Sequence, residues 1–210
     1  MNTTLNKIYA HNPCADGWKK LLSSLGKTTA DDEPVSIEYI IDSNGLSDAL
    51  WALRAVDGIE RESRLLACDY AERVLPIWYD KYPADHRPAE AIRVARLYAN
   101  NNATEDDLLA AGAAAQDAAQ AAAGDAAQAA AGAVAGAAAG AAAGVAAGVF
   151  AGAAAGAAAR AAARAAAWAA AWADRAAWAA AWAAECEWQD IKLRQMLRGK
   201  IYRVTETEGS

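Results

Sequence analysis

The feature that most restricts the fold of this 210-residue chain is a tract from about Thr104 to Leu197 that is dominated by alanine and contains no proline. Alanine has the highest helix propensity of all residues, whereas proline interrupts helices. All five prolines lie at or before Pro88. The tract is therefore predicted to be helical over its whole length.

From Gly112 the tract repeats in units of four, in which three alanines are followed by a variable residue X. Glycine or glutamine fills X up to Gly156, and arginine and then tryptophan follow. Because an α-helix turns about 100° per residue, each unit moves X by about 40° around the axis. X therefore keeps to one face only over 12–16 residues. This drift favours several short packed helices over one rod roughly 130 Å long.

Residues 129–159 contain only Ala, Gly, Val and Phe, which raises two further interpretations of the tract. The length and the G-x-x-x-G spacing suit a membrane span, but few residues are strongly apolar and no basic residue precedes the segment closely, so membrane spanning is disfavoured. Ice binding requires a regular exposed stripe, which the drift of X disrupts. We favour a helical scaffold whose Ala and Gly faces pack closely, within one chain or between copies in a homo-oligomer.

Bulky and charged side chains return at the end of the tract, and they are the candidate binding residues. The tryptophans form two i,i+4 pairs, each on one helix face. They either pack against the N-terminal helices or form an aromatic wall for a ligand or partner, with arginines beside it. The candidate residues are Trp168, Trp172, Trp178, Trp182, Arg160, Arg164 and Arg175.

Start and stop signals predict short helices in the first hundred residues. No segment has strand-like alternation, so the predicted fold class is all-α, with short N-terminal helices followed by an Ala-rich stack of packed helices. The first predicted helix covers 13–25 and is capped by Asn12, the second begins at Ser36 and ends at Asn44-Gly45, and the third is capped by Ser47 and ends at Asp57-Gly58. The fourth covers 60–74, and Pro76 breaks the chain after it. The fifth begins at Arg87, and the sixth is capped by Thr104.

The charge balance and the cysteines limit the classes of partner and the compartment. The chain carries 20 basic and 26 acidic residues, and no stretch has the run of Lys and Arg that binds nucleic-acid polymers. Three widely spaced cysteines suit neither a disulfide framework nor a zinc site. The N-terminus lacks the apolar core of a signal peptide. We expect a cytoplasmic protein.

Candidate chemistry in the first hundred residues is incomplete. His11, Cys14 and Asp16 lie close together in sequence, but they lack the further partner that a thiol nucleophile or a metal site requires. Six arginines would form an anion site if they converged, although arginines on amphipathic helices usually pair with neighbouring acids. We predict no enzyme, no cofactor and no metal. The six arginines are Arg61, Arg64, Arg73, Arg87, Arg93 and Arg96.

Two groups of segments resemble known families. The segments HNPCADGWKKLLSSLGKT, DDEPVS and NGLSDALWALRAVDG are similar to the opening of alanine-rich proteins carried by bacteria and their phages. The segment LACDYAERVLPIWYDKYPADHRPAEAIRVARLYANNNAT, followed by Ala repeats, resembles the all-helical family of putative immunity proteins. The resemblance covers roughly residues 9–125 and implies no catalytic residues.

The resemblance implies a protein of bacterial or phage conflict, and three functions follow as hypotheses. The first is a non-enzymatic protein that neutralises a toxin or defence component by stoichiometric binding. The second is a phage-encoded sponge that sequesters a nucleotide immune signal in an aromatic and basic pocket. The third hypothesis comes from the Ala/Gly tract itself and is a membrane-associated or ice-binding helix protein.

We predict an N-terminal helical region at 1–103, the tetrad-repeat region at 104–198 packed on it, and a flexible tail at 199–210. Small-angle X-ray scattering tests this arrangement. Packed short helices give a compact particle, whereas a maximum dimension above about 100 Å, close to the length of a continuous helix, contradicts it.

Overall fold

The computed structural model describes residues 1–121, 138, 159–162, 164–165 and 175–202. Within these ranges the chain is helical apart from two short strands and the connecting loops, which confirms the all-α class. The strands are β1 (Asn2–Thr4) and β2 (Pro34–Ser36). The helices are α1 (Leu5–Ala10), α2 (Ala15–Ser24), α3 (Ile37–Asn44), α4 (Leu46–Ala52) with a 3-10 turn (Leu53–Ala55), α5 (Glu60–Arg73), α6 (Leu75–Lys81), α7 (Arg87–Ala99), α8 (Glu105–Ala121) and α9 (Arg175–Leu197).

Several helix ends follow the predicted capping signals. Ser36 caps α3 by accepting a hydrogen bond from the Tyr39 backbone N–H at 3.0 Å. Gly45 ends the same helix with a φ of +99°, which glycine adopts without the steric cost of a side chain. Thr104 and Asp107 cap α8 reciprocally, and this hydrogen bonding lowers the pKa of the Asp107 carboxyl. The predictions for these three ends are confirmed.

At the starts of α2 and α4, a residue near the predicted cap occupies the capping position instead. The cap of α2 is Cys14 instead of Asn12, since Asn12 adopts a left-handed φ of +55° in the turn before it. Gly45 precedes α4 directly, so Ser47 lies inside the first turn instead of capping it. Helix α1, which the sequence analysis omitted, begins after Thr4, whose hydroxyl accepts from the Lys7 N–H at 3.2 Å.

The two strands form an antiparallel pair that ties the N-terminus to the start of α3. Thr3 pairs with Val35, and both are buried. The Thr3 hydroxyl also donates to the Ala55 carbonyl. The strands escaped prediction because three residues are too few to display a period of two.

One hydrophobic core joins elements from both ends of the chain. Helix α5 lies at its centre and contacts α7, α6 and α9, while α9 also contacts α3 and α4. Leu193, Met196 and Leu197 at the end of α9 are buried in this core. The C-terminal helix is therefore part of the same core as the N-terminal helices.

A buried polar network attaches α9 to α5. The Tyr70 hydroxyl donates to the Gln189 carbonyl at 2.9 Å. The Gln189 side chain donates to the Ala159 carbonyl at 3.0 Å and to Glu185 at 3.1 Å, and Arg73 donates to Glu185 at 2.9 Å. Glu185 and Gln189 are only 4% and 1% exposed. Within this network the buried side chains of Tyr70, Glu185 and Gln189 thus all have partners, as stability requires.

The structure describes only a few residues of the repeat, and these pack on the rest of the chain. Ala138 and Ala159 belong to the main core. Ala162 and Ala165 join a second cluster with Val74 and Trp78. The remaining predictions for 122–174 lie outside the described residues.

Two observations concern the membrane and tail predictions. Among the described residues, no helix combines the length and hydropathy needed to cross a membrane, while most of 129–159 lies outside those residues. Ile201 and Tyr202, at the start of the predicted tail, pack against the main core. The Tyr202 hydroxyl donates to Asp69 at 2.5 Å.

The α9–α5 network generates a stability prediction. Gln189→Leu introduces an apolar side chain of similar size and removes the two hydrogen bonds that the Gln189 amide donates, to the Ala159 carbonyl and to Glu185. We expect a loss of about 2 kcal/mol in the free energy of unfolding, since buried acceptors are costly when unpaired. The matched control is Arg93→Gln, which breaks an exposed pair with Glu90 and changes stability by less than about 0.5 kcal/mol. Urea denaturation measures both, and equal effects would contradict the network's role.

The three cysteines generate a reactivity prediction, because they lie in different environments. Cys14 is exposed, Cys186 is partly buried, and Cys68 is buried with a pKa raised by burial to about 12. Iodoacetamide should label Cys14 first and Cys68 only after unfolding. Labelling of Cys68 should stay slow even at about pH 10, above the ordinary thiol pKa of about 8.5. Peptide mass spectrometry reads the order, and rapid labelling of native Cys68 would contradict the described core.

Candidate functional site

The candidate functional site is a cleft between α2 and the α3–α4 pair, referred to below as the α2–α4 cleft. Its volume is about 210 Å³. Its lining combines apolar and aromatic side chains with a few polar groups, which is the usual composition of a binding site. The lining residues are Ile8, Pro13, Cys14, Gly17, Trp18, Leu21, Ile40, Asn44, Ser47, Asp48, Trp51, Ala52 and Arg160.

The two sides of the cleft are held together by Asn44 and by the close approach of Asp48 to α2. The Asn44 amide donates to the Gly17 carbonyl at 2.9 Å and to Asp48 at 2.8 Å. A β-carbon at Gly17 would lie 2.8 Å from Asp48 Oδ2 and 3.1 Å from Cys14 Sγ. A larger residue at position 17 would therefore force the Asp48 carboxylate to move away from α2.

Two tryptophans form aromatic walls of the cleft, and each is supported from behind. The ring of Trp18 packs on Tyr9 with a centroid separation of 5.4 Å. The Arg54 guanidinium lies 4.4 Å from the centroid of the Trp51 ring, and Arg54 Nε donates to the Trp51 carbonyl at 2.8 Å. Both indoles are half-buried and thus keep a surface for contact.

The electrostatics of the cleft are set by two arginines. Arg160 lines it, and its guanidinium is near enough to Arg54 that burial and this second charge both lower the pKa of Arg54. No carboxylate in the described ranges forms an ion pair with either arginine. Neither arginine is thus neutralised by an ion pair within that part of the chain, and the carboxylate of Asp48 lines the same cleft.

The structure places the predicted binding residues in different situations. Arg160 lines the α2–α4 cleft, and Arg164 is exposed one turn away. Trp182 is partly buried on α9. The backbones of Arg175 and Trp178 lie in the first turn of α9, whereas the predictions for Trp168 and Trp172 fall outside the described residues. A shared Trp and Arg surface therefore stays a prediction.

The arginines of the first hundred residues do not converge on one anion site. Arg96 pairs with Asp69 and Glu72, as expected for arginines beside acids on neighbouring helices. Arg73 instead reaches Glu185 across to α9, and its guanidinium lies 4.4 Å from the Trp188 ring centroid. Arg87 and Arg93 pair locally. Arg73 and Arg96 therefore connect helices, whereas Arg87 and Arg93 form local pairs.

Cys14, the thiol considered in the sequence, serves as a helix cap. Cys14 Sγ accepts the Gly17 backbone N–H at 3.4 Å as the cap of α2. In the described ranges no three His, Cys, Asp or Glu side chains are grouped closely enough to hold a metal ion. Cys14 is thus part of the cleft wall.

Sequence reasoning missed Trp18, Asp48, Trp51 and Arg54 as site residues. The periodicity of the sequence assigns these residues to separate short helices, and it does not indicate that the helices pack side by side. The resemblance to alanine-rich bacterial and phage proteins was nevertheless a usable signal. Two of the segments that carry it supply most of the lining, namely HNPCADGWKK and NGLSDALWALR.

Comparison with known proteins gives one family match. Residues 60–144, which include α5 to α8, match the family described as Imm-5 like putative immunity protein. Neither the comparison with curated proteins nor that with solved structures found a match. The family match covers less than half of the chain, and the segments that form most of the α2–α4 cleft precede it.

Proposed function

We propose that this protein is a non-enzymatic immunity-type protein that neutralises a toxin or defence component by forming a stoichiometric complex with it. The observation that carries the proposal is the match of residues 60–144 to the immunity-protein family. In this mechanism the chain occupies a functional surface of its partner, so that inhibition follows complex formation and needs no chemical step.

The internal pairing of the matched region supports a binding role for a preformed scaffold. Helices α5 and α7 are joined by Arg96 to Asp69 and Glu72, at 2.8 and 2.6 Å. Asp69 also accepts from Lys192 of α9 at 3.1 Å. A scaffold fixed by such contacts presents its outer faces without large rearrangement, which reduces the entropic cost of association.

The α2–α4 cleft supports a protein partner better than a nucleotide messenger. It has the aromatic and basic groups that a nucleotide requires, so sequestration of an immune signal is the second candidate. Its volume of about 210 Å³ is, however, below the roughly 300–1,000 Å³ of pockets that enclose drug-sized ligands. A recess of this size suits a single side chain.

Affinity capture followed by titration tests the proposed function. The tagged full-length chain is used to capture proteins from bacteria that carry toxin and defence systems, and each captured protein is purified and assayed for its own activity. We expect inhibition to be complete at a fixed molar ratio near one chain per partner, because each chain inhibits only the partner molecule to which it is bound. Light scattering of the mixture gives the stoichiometry.

Two outcomes would contradict this function. Inhibition at a small fraction of the partner's concentration would indicate turnover by the chain and hence an enzyme. Capture of no protein whose activity the chain inhibits, together with saturable binding of a cyclic nucleotide in calorimetry, would favour the second candidate instead.

A further inference from the structure

The α2–α4 cleft has features that specify an occupant beyond general binding. Its aromatic walls are preorganised, because Tyr9 supports Trp18 and Arg54 supports Trp51. Rigid aromatic groups around a small recess are typical of the pockets that receive one anchoring side chain at a protein interface. The recess thus has the form of a receptor for a single group.

The size of the cleft limits that group. An engineered apolar cavity of about 150 Å³ accommodates one benzene molecule. A volume of about 210 Å³ therefore holds one side chain together with the carbons beside it. A dinucleotide or a helix of the partner is too large to enter.

Charge selects among the side chains of that size. Arg160 lines the recess, and Arg54, stacked on the Trp51 ring, lies near enough to Arg160 for the two charges to interact. One carboxylate, that of Asp48, also lines the recess and accepts a hydrogen bond from the Asn44 amide at 2.8 Å, so two cations face a single anion. The nearby acids Asp57 and Asp42 pair with Lys7 and Arg194. Two adjacent cations repel each other, and an entering anion offsets that repulsion.

We propose that the α2–α4 cleft receives an acidic side chain of a protein partner, whose carboxylate pairs with Arg160 in the field of Arg54 while its apolar carbons contact Trp51 and Trp18. The identity of the occupant as part of a protein rests on the proposed function. The preference of the cleft for a carboxylate rests on the geometry alone.

The first experiment tests the chemistry of the cleft without a partner. The full-length chain is titrated with 3-phenylpropionate and with its neutral isostere 3-phenylpropionamide, and the Trp indole N–H signals are followed by NMR. We expect the carboxylate to bind roughly fivefold to tenfold more tightly, the effect of one charge-assisted pair. Arg160→Gln should abolish this difference, whereas Arg93→Gln, which alters an exposed arginine on α7, should keep it. Equal binding of the two probes to the wild-type chain overturns the proposal.

A stability measurement separates a binding role of Arg160 from a structural one. Since Arg160 opposes Arg54, the Arg160→Gln chain should have a Tm equal to or above that of the wild type. A markedly lower Tm would assign Arg160 to the packing of the fold and overturn its role in the cleft.

The second experiment uses the captured partner. Arg160→Glu should weaken the complex at least about tenfold, as expected for a like-charge contact at a partly desolvated site. Replacing the contacting acid of the partner with lysine should restore binding to Arg160→Glu. If the probes discriminate but Arg160→Glu leaves the complex unchanged, the acidic-anchor proposal is wrong while the proposed function stands. If no partner exists, the proposed function fails, and the probe titration still decides the carboxylate preference.

Discussion

The return of helix α9 to helix α5 is the contact on which the rest of the described structure depends. An alanine-dominated tract offers little apolar area per residue, so it cannot form a stable core by itself. The larger side chains lie at the two ends of the chain, and the core forms where these ends meet. Leu193 and Met196 of α9 are fully buried against residues that precede Leu109.

Buried polar groups give this contact a defined register. Apolar side chains alone allow a helix to slide or rotate with little penalty, whereas Gln189, Glu185 and Tyr70 are satisfied in one alignment. A slip of α9 by one residue would leave several buried polar atoms without partners. The network therefore specifies position, while the leucine and methionine side chains of α9 supply the burial. Asp69 fixes position in the same way, because its carboxylate accepts hydrogen bonds from Arg96 of α7, Lys192 of α9 and Tyr202.

Small residues allow the central helices to approach closely. Ala67 and Ala71 of α5 and Ala91 and Ala95 of α7 are completely buried, and the two helices are in contact. Alanine at such positions shortens the distance between helix axes and increases dispersion contacts along the backbone. Such packing explains how a chain with only one phenylalanine forms a continuous core.

Much of the local structure could be predicted from the sequence, because it depends on local signals. Ser36, Thr104 and Gly45 end helices through hydrogen bonds or backbone angles that each residue type determines itself. The β1–β2 pair could not be predicted, since its two strands are about thirty residues apart and each is only three residues long. The α2–α4 cleft was missed for a related reason. Its arginine at position 160 and its tryptophans at 18 and 51 meet only through the tertiary fold, and no periodicity links them. The tryptophan pairs of the repeat stand out because they are four residues apart, whereas Trp18 and Trp51 of the cleft are far apart in sequence.

The burial pattern at 159–165 has a consequence for how this chain can change over time. Ala159, Ala162 and Ala165 face the core, while the variable positions Arg160 and Arg164 face outward. A substitution at such an outward position alters the chemistry of the surface and leaves the packed face unchanged. In this described part of the repeat, the residues that maintain the fold are therefore distinct from those that are exposed at the surface. A rapidly diversifying binding protein could exchange one recognition group for another without a loss of stability.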